Sequence, residues 1–247
     1  MTGAGYYNAG ATATVAATAA AGYGFAGFSG ALTGTVNPQN LVMNAPKTVV
    51  AKFDNTAPAI TPTVTGTLGT NGWYISTVGV SWSVTDPESG IASSTGCGPT
   101  TLTSDTSGVT LTCSATNGAG LSSSRSVTIK IDKTGPVLSG LPGAACSLWP
   151  PNGKLITVAT VTAADSVSGL VAGSFSVTGV SNEPSDPKSP DAVIAPNGSG
   201  GFTVQLRAER LGNGAGRVYT LTAKATDLAG NAATATSTCT VAHDQGN

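Results

Sequence analysis

The stretch Asp132-Lys133-Thr134-Gly135-Pro136 has a near twin in Asp54-Asn55-Thr56-Ala57-Pro58. Each closes an alternating, β-branched run, Val127 to Ile131 in one case and Val49 to Phe53 in the other. The final proline fixes φ and removes a backbone donor, so the preceding ladder stops there. Two such stops predict three modules in series, at residues 1–53, 54–134 and 135–247.

Outward from those stops the pattern is β. Val78, Val80, Trp82 and Val84 alternate with Gly79, Ser81 and Ser83, which puts the bulk on one face and makes Trp82 the expected core anchor. Val109, Leu111, Cys113 and Ala115 alternate in the same way, and Val127, Ile129 and Ile131 follow, so residues 54–134 read as a sandwich of about seven short strands. The plan returns beyond Pro136. The D-x-x-S-G of Asp86 to Gly90 recurs at Asp165, Ser168 and Gly169, and Ala115-Thr116-Asn117-Gly118-Ala119-Gly120 has its counterpart in Ala225-Thr226-Asp227-Leu228-Ala229-Gly230. A repeat of that length means serial modules. Pro184, Pro187, Pro190 and Pro196 predict a long loop over Asn182 to Gly201, with strands after it through Phe202 to Ala208 and Tyr219 to Ala225. No stretch has the apolar spacing of a surface helix, and the Ala-rich Ala9 to Ala21, with threonines at 12, 14 and 18, reads as strand and turn.

Residues 1–53 carry Gly5-Tyr6-Tyr7-Asn8-Ala9-Gly10, then Gly22-Tyr23-Gly24-Phe25-Ala26-Gly27-Phe28-Ser29-Gly30, an Asn37-Pro38 turn, a short Leu41-Val42-Met43 strand and a closing Thr48 to Phe53 strand. This segment resembles the divergent bacterial repeat related to internalin B repeats, with Phe28 where the family usually has Trp, a swap that keeps the apolar plug and loses an N–H donor. The family's strand before the G-x-Y turn has no counterpart here, so the resemblance implies an open sheet edge. Residues 54–134 resemble bacterial immunoglobulin-like domains through D-x-T-x-P, Gly72-Trp73-Tyr74, D-x-x-S-G and the paired cysteines. Residues 135–247 resemble immunoglobulin-like or cadherin-like modules through L-W-P-P-N, S-N-E-P, L-R-A-E-R, G-R-V-Y and D-x-A-G-N. The implied fold class is all-β: tandem immunoglobulin-like sandwiches behind a small β-rich repeat module.

Eleven Lys plus Arg against twelve Asp plus Glu give a net charge of -1 with no basic stripe, which argues against nucleic acid. No apolar run reaches the roughly 18 to 20 residues that span a bilayer. Met1 is followed at once by domain-like sequence, so the natural start is expected upstream or removed. The four cysteines have no C-x-x-C spacing and only one histidine for company, which favours disulfides over zinc. Cys97 with Cys113 and Cys146 with Cys239 would close loops worth roughly 3 and roughly 4 to 5 kcal/mol in the loop-entropy picture. Such bonds persist in oxidising surroundings, so the expected location is extracellular or the cell surface.

Chemistry is sparse. His243 is the only histidine and lies after the last strand, a poor place for a general base, so no enzyme is expected. Calcium is the leading site hypothesis: Asp86, Glu88 and Asp132 would gather at one end of the second module, and Asp165 and Asp227 in the third, as in cadherin-like junctions. Asp in turns also caps its own backbone without any ion. Arg207, Arg210 and Arg217 would mark an anion or glycan contact or, as strand alternation favours, are solvent-facing residues paired with Glu209 or Asp191. Trp73, Tyr74 and Trp149 lie beside Gly or Pro, where they would either stack on sugars or plug the sandwich ends. The expected function is a stalk, adhesin or fibre subunit; the alternative is a carbohydrate-binding accessory region of a secreted hydrolase. Expected partners are other copies or other domains of the same surface protein, including a head-to-tail polymer formed by strand addition at the open edge.

Overall fold

Period-two alternation of Val, Thr, Ser and Ala dominates the chain, and the structure, a computed structural model, answers it with strands alone. It describes residues 1–185, 189–212 and 216–242, which hold no helix. Pro187, His243, the tail beyond residue 242 and the middle of the Gly212 to Gly216 loop lie outside the described residues. The first four strands are β1 (Ala11–Val15), β2 (Gly24–Gly30), β3 (Gln39–Met43) and β4 (Val49–Asp54). Then come β5 (Ala59–Thr65), β6 (Trp73–Tyr74), β7 (Val78–Thr85), β8 (Ile91–Thr95), β9 (Thr100–Leu102), β10 (Thr106–Asn117) and β11 (Ser122–Ile131). The last group is β12 (Val137–Ser139), β13 (Leu155–Ala164), β14 (Ser176–Ser181), β15 (Ala192–Pro196), β16 (Phe202–Arg207), β17 (Arg217–Thr226) and β18 (Ala232–Val241).

The strands fall into two compact units. The first contains Met1–Gly66, Thr77–Thr103 and Gly108–Ile129. Its N-terminal part pairs β1 with β3 and β2 with β4, and Phe28, Leu32, Leu41, Val15 and Ala17 form its small core. Phe28 is buried and edge-on to Phe25, the apolar plug expected at that position. Beyond its pairing with β3, β1 has at its flank only an isolated bridge from Thr2 to Ala16 among the described residues. Farther on, β5, β7 and β9 form one sheet, while β8, β10 and β11 belong to another whose order is β6-β11-β10-β8. Val78 and Val80 are buried as alternation predicts. Trp82 is only half-buried, and its indole N–H is enclosed without a partner among the described residues, so Trp82 does not anchor the core as expected. The outward rungs of the β10–β11 hairpin are hydroxyl pairs, Thr110 with Thr128, Thr112 with Ser126, Ser114 with Ser124 and Thr116 with Ser122, at 2.8–3.0 Å. Cross-strand pairs of this kind contribute about 0.2–1 kcal/mol each, holding a long exposed hairpin in register without apolar burial.

The second unit contains Thr67–Ser76, Ser104–Ser107 and Lys130–Asn247. Its sandwich packs the sheet β12-β13-β16-β15 against β14-β17-β18 around Val161, Val204, Leu206, Tyr219, Leu221 and Val241, all fully buried. Burying a Leu or Val side chain contributes about 1.5–3 kcal/mol. The segment expected to be one long loop, Asn182 to Gly201, contains β15. Pro196 is the last residue of that strand, and β15 is an edge strand, where a missing N–H costs no ladder bond. Disulfides join Cys97 to Cys113 and Cys146 to Cys239.

Candidate metal centre

The D-x-T-x-P motif places an aspartate at or just past the end of a strand, and its own Thr turns back on it. Asp54 Oδ1 accepts the Thr56 N–H at 2.8 Å, and the Thr56 hydroxyl lies 2.9 Å from that oxygen. At the second motif Asp132 Oδ1 accepts the N–H and hydroxyl of Thr134, both at 3.2 Å. The D-x-x-S-G motif likewise folds onto its leading aspartate. Asp86 Oδ1 accepts the N–H groups of Glu88 and Ser89, and Asp165 Oδ1 accepts those of Val167, Ser168 and Gly169. Each motif pair then meets. Ser89 Oγ donates to Asp54 Oδ2 at 2.6 Å, and Ser168 N donates to Asp132 Oδ2 at 3.1 Å.

The third member of each group sits where a long strand ends, Asn117 as the last residue of β10 and Asp227 just past β17. In the first unit Asn117, at the end of β10, is 1% exposed. Its Nδ2 donates to Asp54 Oδ2 (2.8 Å), the Thr56 carbonyl (2.8 Å) and Asp86 Oδ2 (3.0 Å), while its Oδ1 accepts the N–H groups of Ala119 and Leu121. The reversed amide would set oxygen against three oxygens, so this orientation is fixed by its partners. In the second unit the equivalent residue is Asp227, fully buried. Asp132, Asp165 and Asp227 offer carboxylate oxygens that all lie within 4.8 Å of one another. The ion pairs of the described residues, Lys133 with Asp105 and Arg217 with Glu183 and Asp191, lie outside this triad.

The grouping expected from sequence, Asp86 and Glu88 with Asp132, is therefore corrected. β10 carries the chain to the Asp86 loop, and β11 then runs antiparallel to it before Asp132 is reached, so Asp132 joins Asp165 and Asp227 instead. Glu88 is exposed, with its Oε2 2.6 Å from the Thr56 hydroxyl. Asp54 and Asn117 were absent from the expected ligand set. Their signal was the repeat alignment, which sets Asp54 against Asp132 and Asn117 against Asp227.

The two groups differ in their fit to a hard cation. Three converging carboxylates, two of them fully buried, are the donor chemistry that calcium takes. In the first group the nitrogen of Asn117 already lies between the carboxylates, and Asp54 is saturated by donors. Its carboxylate is held far below the usual range, first by the hydrogen-bonded Glu88 carboxyl, then by Ser89, against the opposing effect of burial. Asp86 is likewise lowered, by the Ser89 N–H and then by Asn117. The first group does not fit a cation.

Other expected site residues separate widely in exposure. Trp73 is buried, with the Lys130 ammonium 5.0 Å above its ring and bonded to the Asn71 carbonyl. Tyr74 is half-buried, whereas Trp149 is 49% exposed. Arg217 is not solvent-facing: it shares the inward face of β17 with Tyr219 and Leu221, bonded to Glu183 at 3.1 Å and to Asp191. Burial opposes its charge, but the bonds to Asp191 and Tyr219 prevail and raise its pKa.

Residues 1–57 match the family described as the divergent InlB B-repeat domain. No curated protein matches the chain. Among solved structures, protocadherin gamma B7 cadherin domains 1–4 align at 13% identity and a TM-score of 0.39, over 79% of this chain and 53% of that one. This chain thus spans about half the length of that relative. A four-domain protocadherin gamma B3 structure aligns at 13% and 0.40, over 95% and 71%, and titin domains A168–A170 at 14% and 0.32, over 73% and 64%. The fold is all-β, and its structural neighbours are cadherin and immunoglobulin-like domains.

Proposed function

We propose that the chain is a structural or adhesive array of a bacterial surface or secreted protein, built of modules at 1–53, 54–134 and 135–247. Its second seam would be closed by calcium on Asp132, Asp165 and Asp227. The observation that carries this reading is the convergence of those three carboxylates within 4.8 Å. The ion would supply charge neutralisation and rigidity there, no chemical step. Two disulfides support an oxidising, extracellular setting. Repeat and sandwich domains of these kinds are typically non-catalytic, and the role is read as non-enzymatic.

Thermal or urea unfolding of the full chain with chelator and with millimolar calcium tests the site. A ligand that binds only the folded form at a hundred times its Kd adds about 2.7 kcal/mol. Calcium should raise the transition by that order; identical transitions would remove calcium from the proposal. A second reading, glycan contact, is favoured by one observation, the exposed ring of Trp149. A glycan array with native chain and Trp149→Ala decides it, and absence of binding to any glycan ends it. The flank of β1 is the edge at which another copy's strand would add to form a fibre. A monodisperse monomer in light scattering at high concentration would end the fibre reading.

A further inference from the structure

Asn117 and Asp227 occupy one position of the repeat, and their first oxygens do the same work. Asn117 Oδ1 accepts the N–H four residues on, at Leu121, and Asp227 Oδ1 accepts the N–H four residues on, at Asn231. The nitrogen of Asn117 therefore stands where the second oxygen of Asp227 stands. In the first unit that nitrogen touches both aspartates and the Thr56 carbonyl. In the second unit Asn231 supplies an amide, but it reaches the Asp132 and Thr134 carbonyls and Asp227 Oδ2, not the carboxylates of Asp132 or Asp165. An amide donor at the centre of one group is thus replaced by a third carboxylate in the other.

We infer that the Asn117 amide is a built-in substitute for a cation, and that the residue at this position decides whether a seam needs a divalent ion. The physical argument is charge balance. A buried carboxylate, a half-buried one and a carbonyl converging on one point need a positive partner, and the amide N–H groups supply partial positive charge without an ion. Changing that nitrogen to oxygen adds a negative charge and removes both donors, so the site must then recruit a cation or open. The half of this inference that concerns Asp227 rests on the calcium reading of the second seam; the half that concerns Asn117 does not.

The test uses the full chain as native protein, Asn117→Asp and Asp227→Asn, each in chelator and in millimolar calcium, with calcium stoichiometry by calorimetry and urea midpoints. Asn117→Asp should bind one calcium more than native chain, with a midpoint lowered in chelator and restored by calcium. An Asn117→Asp chain that gains no calcium, or that stays unfolded in calcium, overturns the inference. Asp227→Asn should bind one calcium fewer than native chain and fold equally well in chelator and in calcium. If it instead unfolds more readily than native chain in chelator, the position does not exchange amide for ion. Native chain that binds no calcium sinks the reading of the second seam, while the Asn117→Asp result still judges the first.

Discussion

The two seams are built from the same parts and closed by different means. Both set an Ala carbonyl from the third loop against a glycine: a Cβ on Gly24 would lie 2.0 Å from the Ala119 oxygen, and one on Gly69 would lie 2.2 Å from the Ala229 oxygen. Both use an Asp-x-Thr and an Asp-x-x-Ser turned in on themselves. The first then completes itself with an amide, and the second leaves carboxylates facing one another. On the inference drawn above, a repeated scaffold would carry either a self-sufficient joint or an ion-dependent one through a single residue, without altering the strands around it.

The comparison breaks most visibly at Asn117. Asn117→Ala removes a side chain that is itself 1% exposed, and with it donors to Asp54 and Asp86 and an acceptor for two N–H groups. Leaving buried polar groups unpaired costs about 1–3 kcal/mol each, so the first unit should lose about 3–5 kcal/mol, measured by urea unfolding. Calcium should not restore it; full restoration would mean that the alanine leaves room for an ion, and the amide would not be the closing element. Next in size are the glycines. Gly24→Ala and Gly69→Ala force a methyl against backbone, and each should cost about 1–3 kcal/mol, the first in either chelator or calcium, the second partly offset by calcium. Equal responses to calcium would erase the distinction between the seams.

Sequence made much of this visible and hid the decisive part. The D-x-T-x-P stops, the D-x-x-S-G turns and the Asn117 to Asp227 correspondence all stand in the repeat. Which acids meet depends on strand direction, and that is set by pairings between β10 and β11 that no local motif states. Arg217 was misplaced because its charge outweighed its position: it alternates with Tyr219, Leu221 and Ala223, all fully buried, and period two alone placed it inside. β15 was hidden by prolines that an edge strand tolerates.

The smallest expected difference concerns acid. A carboxylate held below its unfolded pKa contributes stability in full above the unfolded value of about 3.9 and loses it as pH falls through the lower folded value. Asp54 and Asp86 are both lowered, so their contribution to the first unit should persist unchanged from neutral pH through mild acid and fade only under strongly acidic conditions. Midpoints of native chain and Asp54→Asn across an acid series check this. A gap between them that closes well above pH 4 would show that Asp54 is not held in its charged form.

The bond between Cys146 and Cys239 has a consequence for a chain pulled from its ends. The two cysteines are 93 residues apart in sequence, and Cys239 lies in the last strand. Tension entering before Cys146 and leaving after Cys239 passes through the sulfur atoms and never reaches the strands between them. At about 3.3–3.6 Å per extended residue, roughly 300 Å of slack stays locked inside the sandwich while the bond is intact. Reducing the bond would let the same tension reach the strands, and that length would then be released only as the ladders and the core between the two cysteines give way.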